Sequence, residues 1–120
     1  MKAFRPLESP IETQVVNRIW YELGIMGIKL KAVGQTGWPD RWFPCPGGRS
    51  FLIEFKRPGE EPEPRQLYIH NQLRKLGFHV EVHDDEDTAV AAIRRFVGSP
   101  QVPKNGDEIS DRARRRRSLS

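Results

Sequence analysis

The segment at residues 51–56, Phe-Leu-Ile-Glu-Phe-Lys, constrains the fold most because it places two charged side chains within an otherwise apolar strand. Successive side chains of a β-strand point to opposite faces, so Glu54 and Lys56 share one face while Ile53 and Phe55 share the other. Such a pair is either a solvent-exposed ion pair or the edge of a functional site. These residues alone leave both interpretations open.

The residues that follow predict a helical crossover to a second strand. A helix is expected at about residues 64–76, and residues 78–83 alternate between apolar and polar as a strand does. Two strands joined through a helix lie parallel in one sheet. Four apolar residues of this helix are expected to face inward: Leu67, Ile69, Leu73 and Leu76.

The residues before the central strand predict two further strands. Residues 28–33 alternate apolar side chains with Lys29 and Lys31, as in a half-exposed strand with a basic outer face. A short second strand, interrupted near Pro39, is followed by a Pro/Gly-rich reversal at residues 44–48. The pattern predicts a three-stranded antiparallel meander. Its aromatic residues are expected in the core, with a dimer face as the alternative: Trp38, Trp42 and Phe43.

Two more helices complete the chain. Ser9 and Pro10 have the character of a helix start, and Gly24 is expected to end this helix. Its inward stripe is Ile11, Val15, Ile19 and Leu23, widened by Val16 and Trp20. The acids at residues 84–87 are interpreted as a turn and cap for a last helix over residues 88–97 rather than as a metal site. The fold class is α/β, with the order helix, three strands, helix, strand, helix.

Composition indicates one small domain. The 120 residues are 37% hydrophobic and 30% charged, and no apolar run is long enough to span a bilayer. With no signal-peptide pattern, the protein is expected in the cytoplasm. The single cysteine, Cys45, excludes an internal disulfide and a multi-cysteine zinc site.

The positive charge is concentrated at the C-terminal end. Residues 1–97 carry 14 Lys/Arg and 13 Asp/Glu, whereas residues 98–120 carry 6 and 3. Four consecutive arginines occupy residues 114–117. We expect an ordered domain at residues 1–97 and a disordered basic tail at residues 98–120, which can bind a polyanion.

Four features in a fixed order resemble one nuclease family. They are Glu12, Gly-x-Pro-Asp-Arg at residues 37–41, Glu-x-Lys-Arg-Pro-Gly at residues 54–59, and Gln66. Together they resemble the VRR-NUC domain of the PD-(D/E)xK superfamily, over residues of about 8 to 90, and in particular its stand-alone phage-type members. The resemblance implies a restriction-endonuclease-like core, with a mixed four-stranded sheet flanked by helices.

The resemblance also implies roles for individual residues. Asp40, Glu54 and the backbone carbonyl of Phe55 match the ligands of a Mg²⁺ or Mn²⁺ ion, and these cations prefer such hard oxygen ligands. Glu12 matches an acid that reaches the metal directly or through water, although it also has an explanation as the acid of a capping box with Ser9. Lys56 matches the catalytic lysine, and Gln66 matches a residue that braces the site.

Basic residues near these acids are candidate contacts to nucleic acid. Arg41 and Arg57 flank the acids and are the first candidates, with ordinary surface arginines as an equal alternative. Lys29 and Lys31 come next.

The resemblance implies a Mg²⁺/Mn²⁺-dependent DNA endonuclease that hydrolyses phosphodiester bonds. Structured or branched DNA, such as four-way (Holliday) junctions or flaps, is the expected substrate. A homodimer would place two active sites on opposed strands. The alternative is a non-catalytic nucleic-acid-binding module, in which the acids serve only as caps and surface charges.

Overall fold

The computed structural model describes residues 10–99, and their elements follow the predicted order. In chain order they are α1 (Pro10–Leu23), β1 (Ile28–Lys29), β2 (Arg41–Cys45), β3 (Arg49–Phe55), α2 (Pro64–Lys75), β4 (His79–His83) and α3 (Glu86–Gly98). A single 3₁₀ turn, Pro46–Gly48, joins β2 to β3. The proposed cap Ser9 and nearly all of the basic tail lie outside the described residues, so the domain boundary after residue 97 stays a prediction.

The strands form one mixed sheet in the order β1-β2-β3-β4. The first three strands are antiparallel neighbours, and β4 pairs with β3 in parallel. Both the predicted meander and the parallel crossover are therefore confirmed. In this register Arg41 lies opposite Ile53, and Phe55 lies opposite His83. The start of β2 consequently meets the carboxyl ends of β3 and β4 at one edge of the sheet.

One face of the sheet packs against α1 and α3. Phe51, Ile53 and Phe55 of β3 point to this face, as strand alternation requires. Helix α1 contributes Val15 and Ile19, which are four residues apart and fully buried. The other buried members of this cluster are Phe43, Cys45, Ala89, Val90, Ala92 and Ile93. Phe43 is thus a core residue, as predicted.

The opposite face packs against α2. Leu52 and Val80 of the sheet contact Ile69 and Leu73 of the helix, and Trp38 and Trp42 are partly buried against them. The inward face of α2 differs from the prediction: Leu67 is 45% exposed and Leu76 is 75% exposed, whereas His70 is fully buried. At about 100° per residue, Leu67 lies about 200° around the helix from Ile69, so the two cannot face the same core.

Several predicted boundaries were wrong. Strand β1 has two residues rather than six, and Lys31 falls outside it. The Leu30 N–H still donates to the Asp40 carbonyl at 3.0 Å, but the next antiparallel partner would be Pro39, which has no N–H to donate. The same proline delays β2 until Arg41.

The helix termini also differ from the predicted pattern. Trp20 is 55% exposed and so does not widen the buried stripe of α1. Helix α3 begins at Glu86 rather than Thr88, and the Asp85 carboxylate accepts a hydrogen bond from the Thr88 N–H at 2.8 Å. The acidic segment therefore serves as turn and cap, as predicted. Among residues 10–99 no helix has the length and apolar character needed to cross a membrane.

Gly37 is expected to be the least replaceable glycine near this edge of the sheet. Its φ is 93°, and a Cβ there would lie 2.9 Å from the Arg65 carbonyl oxygen at the start of α2. Gly34 has a similar φ of 77° with nothing within 4 Å of a Cβ, so it is a matched control for backbone strain. We expect Gly37→Ala to lower the free energy of unfolding by about 1–3 kcal/mol more than Gly34→Ala. Urea denaturation measures both losses, and equal losses would contradict the steric assignment.

Candidate active site

Asp40 is fixed to the end of the central strand by two hydrogen bonds. Its N–H donates to the Ile53 carbonyl at 2.9 Å, and its Oδ2 accepts from the Phe55 N–H at 2.7 Å. The preceding Pro39 is fully buried and restricts the backbone where the loop enters β2. The Asp40 carboxylate is therefore held beside the carboxyl end of β3, next to Glu54.

Glu54 is a buried carboxylate on the α2 face of the sheet. Only 3% of the residue is exposed, so the solvent-exposed ion pair considered for Glu54 and Lys56 does not describe it. Its Oε2 accepts a hydrogen bond from Gln66 Nε2 at 2.8 Å. The Gln66 side-chain oxygen in turn accepts from the Glu63 N–H at 2.8 Å, which completes the capping box at the start of α2. One glutamine thus caps the helix and holds the acid.

The second oxygen of Glu54 faces His70. His70 Nε2 lies 3.6 Å from Glu54 Oε1, beyond hydrogen-bonding distance. Among residues 10–99, neither that oxygen nor either nitrogen of the imidazole ring has a hydrogen-bond partner. His70 was not among the predicted site residues. Its position four residues after Gln66 was an available signal, since residues four apart share a helix face.

Glu12 approaches the same edge from α1 and is held by two cations. Its Oε2 accepts from Arg41 Nε at 2.7 Å and from Lys29 Nζ at 3.2 Å. Arg41 also donates to the Gly27 carbonyl at 2.9 Å. Burial raises the pKa of Glu12 above its ordinary value, and the charge of Asp40 raises it further. Arg41 and Lys29, predicted as nucleic-acid contacts, therefore both bind an acid of the site.

Lys56 follows β3 directly and continues its pairing with β4. Its N–H donates to the His83 carbonyl at 2.9 Å, and the residue is partly buried. Within residues 10–99 its ammonium group has no hydrogen-bond or ion-pair partner. Its charge nevertheless lowers the pKa of Asp40, which places the two groups within electrostatic reach of each other.

Asp40 and Glu54 lie near each other at this edge of the sheet, and the pKa of Asp40 is raised. Burial is the largest influence on Asp40 and raises its pKa from 3.8 to about 6. The Phe55 N–H opposes that shift, and the charge of Glu54 adds to it. In the described part of the chain, no three His, Cys, Asp or Glu side chains form a ready-made metal cluster. Asp40 and Glu54 are neighbours, but the described acids do not converge on a common metal position.

The remaining candidates lie apart from these acids. Arg57 and Lys31 are exposed, and the structure gives neither guanidinium nor ammonium group a contact with the site. Cys45 is buried, and its thiol donates to the Phe43 carbonyl at 3.2 Å. Burial raises the pKa of that thiol, as expected for a structural cysteine rather than a nucleophile.

Comparison with known proteins assigns this geometry to a family. The sequence matches no family model. Over 80 residues it is 38% identical to "Putative nuclease p44" of Acyrthosiphon pisum secondary endosymbiont phage 1, a match that covers 67% of this chain and 85% of that protein. A solved structure described as "VRR_NUC domain" is 28% identical with a TM-score of 0.64, and the match covers 72% of this chain and 92% of that one. The chain belongs to the VRR-NUC family of nucleases.

The VRR-NUC membership confirms the fold implied by the sequence motifs. The mixed four-stranded sheet with helices on both faces is a PD-(D/E)xK-like α/β fold. In this VRR-NUC protein the Gly-x-Pro-Asp-Arg segment leads into β2, and the Glu-x-Lys segment ends β3. The roles of individual residues remain predictions that follow from these positions.

Asp40 should make the stability of the metal-free protein depend on pH. Because its folded-state pKa of about 6 lies above 3.8, the folded chain binds this proton more readily than the unfolded chain. Protonation of Asp40 therefore stabilises the folded state. This stabilisation is fully present below about pH 4 and is lost as the pH rises through about 6. Asp40→Asn keeps an oxygen that can accept from the Phe55 N–H but removes the charge. The free energy of unfolding of Asp40→Asn minus that of the wild type should therefore increase by about 1–3 kcal/mol from pH 4 to pH 7.

Denaturant unfolding in EDTA at a series of pH values measures this difference. The exposed Glu61 offers the control Glu61→Gln, which should track the wild type at every pH. If the difference in the free energy of unfolding between Asp40→Asn and the wild type stays constant from pH 4 to pH 7, the raised pKa of Asp40 is wrong.

Proposed function

We propose that this protein is a Mg²⁺- or Mn²⁺-dependent DNA endonuclease that hydrolyses phosphodiester bonds in structured DNA. The observation that carries the proposal is the placement of Asp40 and Glu54 beside Lys56 at the carboxyl end of β3, with both carboxylates held by hydrogen bonds. A buried Glu54 and a half-buried Asp40 fixed next to a lysine serve no evident purpose in a module that only binds nucleic acid. Burial costs a carboxylate its hydration, and surface charges of such a module would stay exposed.

The donor set fits a hard divalent cation. Glu54 Oε1 has no hydrogen-bond partner among residues 10–99, and the pKa of Asp40 is raised by burial and by its acidic neighbour. A cation offsets both costs. Asp40, Glu54 and the Phe55 carbonyl would hold the ion, with Glu12 reaching it directly or through water. Mg²⁺ keeps several waters, so few protein ligands suffice.

The bound ion would polarise a phosphate oxygen and lower the pKa of a coordinated water. Groups of the protein itself would orient the ligands of the ion and offset the charge that develops on the phosphate. Lys56 offers an ammonium group beside Asp40, where it can orient a nucleophile or offset charge that develops on the phosphate. Gln66 holds Glu54 from α2, and the Phe55 N–H holds Asp40. Both carboxylates are therefore already oriented before the reaction begins.

The substrate assignment rests on family and on charge. The phage relative is named as a nuclease. Arg57 and Lys31 are exposed and available to phosphates, and Lys29, with 41% of its side chain exposed, can contact DNA while it pairs with Glu12. The Arg41 side chain is only 12% exposed and donates to Glu12 and to the Gly27 carbonyl, so its proposed role is to hold Glu12 rather than to contact DNA. A small domain with few base-reading groups recognises backbone shape, which favours four-way junctions or flaps.

A homodimer would suit symmetric cutting of a junction, because a two-fold axis places two sites on opposed strands. A phage nuclease of this kind would act in the cytoplasm of the host cell, where the DNA is.

Removing either a metal-binding acid or the lysine should abolish cutting while DNA binding persists. With a labelled four-way junction and Mg²⁺ or Mn²⁺, we expect Asp40→Asn and Lys56→Met to cut at least about 100-fold more slowly than the wild type. Lys75→Met, at the exposed end of α2, is the charge-matched control and should cut normally. Gel shifts in EDTA check that both site variants still bind. No cutting of duplex, flap or junction DNA by the wild type would leave the non-catalytic binding module as the better description.

Removing residues 100–120 should weaken DNA binding without removing the chemistry. This segment carries 6 Lys/Arg and 3 Asp/Glu. Each phosphate contact that it provides releases counterions, so the truncated protein should show a weaker affinity and a shallower dependence of log K on log salt. At saturating DNA it should cut at the full-length rate. A truncated protein that binds DNA but cannot cut at saturation would contradict the separation of tail and active site.

A further inference from the structure

His70 is a buried polar residue for which the site described above gives no role. The residue is fully buried in α2, and neither ring nitrogen has a hydrogen-bond partner among residues 10–99. A buried donor or acceptor without a partner costs about 1–3 kcal/mol, and a leucine at this position would avoid that cost. The presence of an imidazole therefore requires a compensating interaction.

The available partner is Glu54. Its Oε1 is the other buried side-chain oxygen or nitrogen without a partner in the described chain, and it lies 3.6 Å from His70 Nε2. A shift of a few tenths of an ångström would bring the two within hydrogen-bonding distance. A carboxylate oxygen and an imidazole nitrogen that both lack a hydrogen-bond partner among residues 10–99 thus lie next to each other.

Helix α2 directs one side chain to each oxygen of this carboxylate. Gln66 donates to Oε2, and His70, one helical turn later, faces Oε1. Ile69 and Leu73 flank His70 and pack against the sheet, so the position of the helix over β3 is fixed by apolar contacts. The imidazole therefore faces Glu54 as a consequence of core packing.

We propose that His70 is a positioning residue that orients Glu54 for the divalent cation. In this arrangement His70 Nε2–H donates to Oε1 while Gln66 donates to Oε2. A carboxylate offers about four lone-pair sites, so both oxygens keep one for the metal. The inference rests on the proposed metal-dependent function, and it assigns to His70 no contact with metal, DNA or water.

Direct Mn²⁺ binding to the full-length protein tests the role of His70 without any measurement of cutting. His70→Leu removes the donor and keeps an apolar side chain of similar size. His70→Gln places an amide nitrogen where Nε2 stood. Ile69→Val is a conservative change at the neighbouring buried position and controls for packing. Isothermal titration with Mn²⁺ alone gives the dissociation constants, and thermal unfolding in EDTA gives the stabilities.

We expect His70→Leu to weaken Mn²⁺ binding by about 10–100-fold, as loss of a group that orients a ligand does. His70→Gln should stay within about threefold of the wild type, because its amide restores the donor. The midpoint of thermal unfolding, measured beside that of Ile69→Val, shows that His70→Leu is folded under the conditions in which its Mn²⁺ affinity is compared. NMR of the histidine ring nitrogens should show Nε2 protonated in the wild type and altered by Glu54→Gln.

The possible failures are distinguishable. If the wild type binds Mn²⁺ and folded His70→Leu binds it equally well, the positioning role is wrong and the proposed function stands. Equal loss of Mn²⁺ affinity in His70→Leu and His70→Gln would also overturn the inference, because the donor would then not be what matters. If the wild type binds no Mn²⁺, the proposed function fails and this inference fails with it.

Discussion

The fold and the candidate site both depend on the pair of hydrogen bonds between Asp40 and the end of β3. The Asp40 N–H donates to Ile53 and its carboxylate accepts from Phe55, so one residue extends the β2–β3 pairing and delivers a charge to the sheet edge. Backbone donors hold that charge more rigidly than a flexible side chain would, because the strand itself is fixed by its neighbours. The pKa of this half-buried carboxylate is nevertheless raised, because burial removes more hydration than the Phe55 N–H replaces.

Gln66 connects the start of α2 to the chemistry in the same way. Its two polar ends satisfy the Glu63 N–H and the Glu54 carboxylate, so helix capping and site geometry are coupled through one side chain. A change that loosens the first turn of α2 would also release Glu54. Local helix stability and the order of the site are therefore not independent properties of this protein.

Periodic features of the sequence were sufficient for the order of elements, the antiparallel meander and the parallel crossover. The length of β1 was not accessible in this way, because it depends on which residue lies opposite Lys31 when the β1–β2 register is continued, and that residue is Pro39, just before β2. The predicted inward face of α2 was wrong at two leucines. Leu67 lies on the side of the helix opposite Ile69, and Leu76 is the C-cap that follows the last helical residue, whereas His70 is buried. The role of Arg41 as a partner of Glu12 spans 29 residues of sequence and follows only from the packing of α1 against the sheet.

The three acids at the sheet edge are not compensated equally. Glu12 receives the charges of Arg41 and Lys29 directly, whereas Asp40 and Glu54 are held by an uncharged backbone N–H and an uncharged amide. Hydrogen bonds orient a carboxylate without cancelling its charge, and the charges of Lys29 and Lys56 only partly offset the cost of burying Asp40, so negative potential remains between Asp40 and Glu54. Under the proposed function, a divalent cation would bind between Asp40 and Glu54. Glu12 would reach that ion directly or through water, and direct binding would require it to give up part of its ion pairing with Arg41 and Lys29.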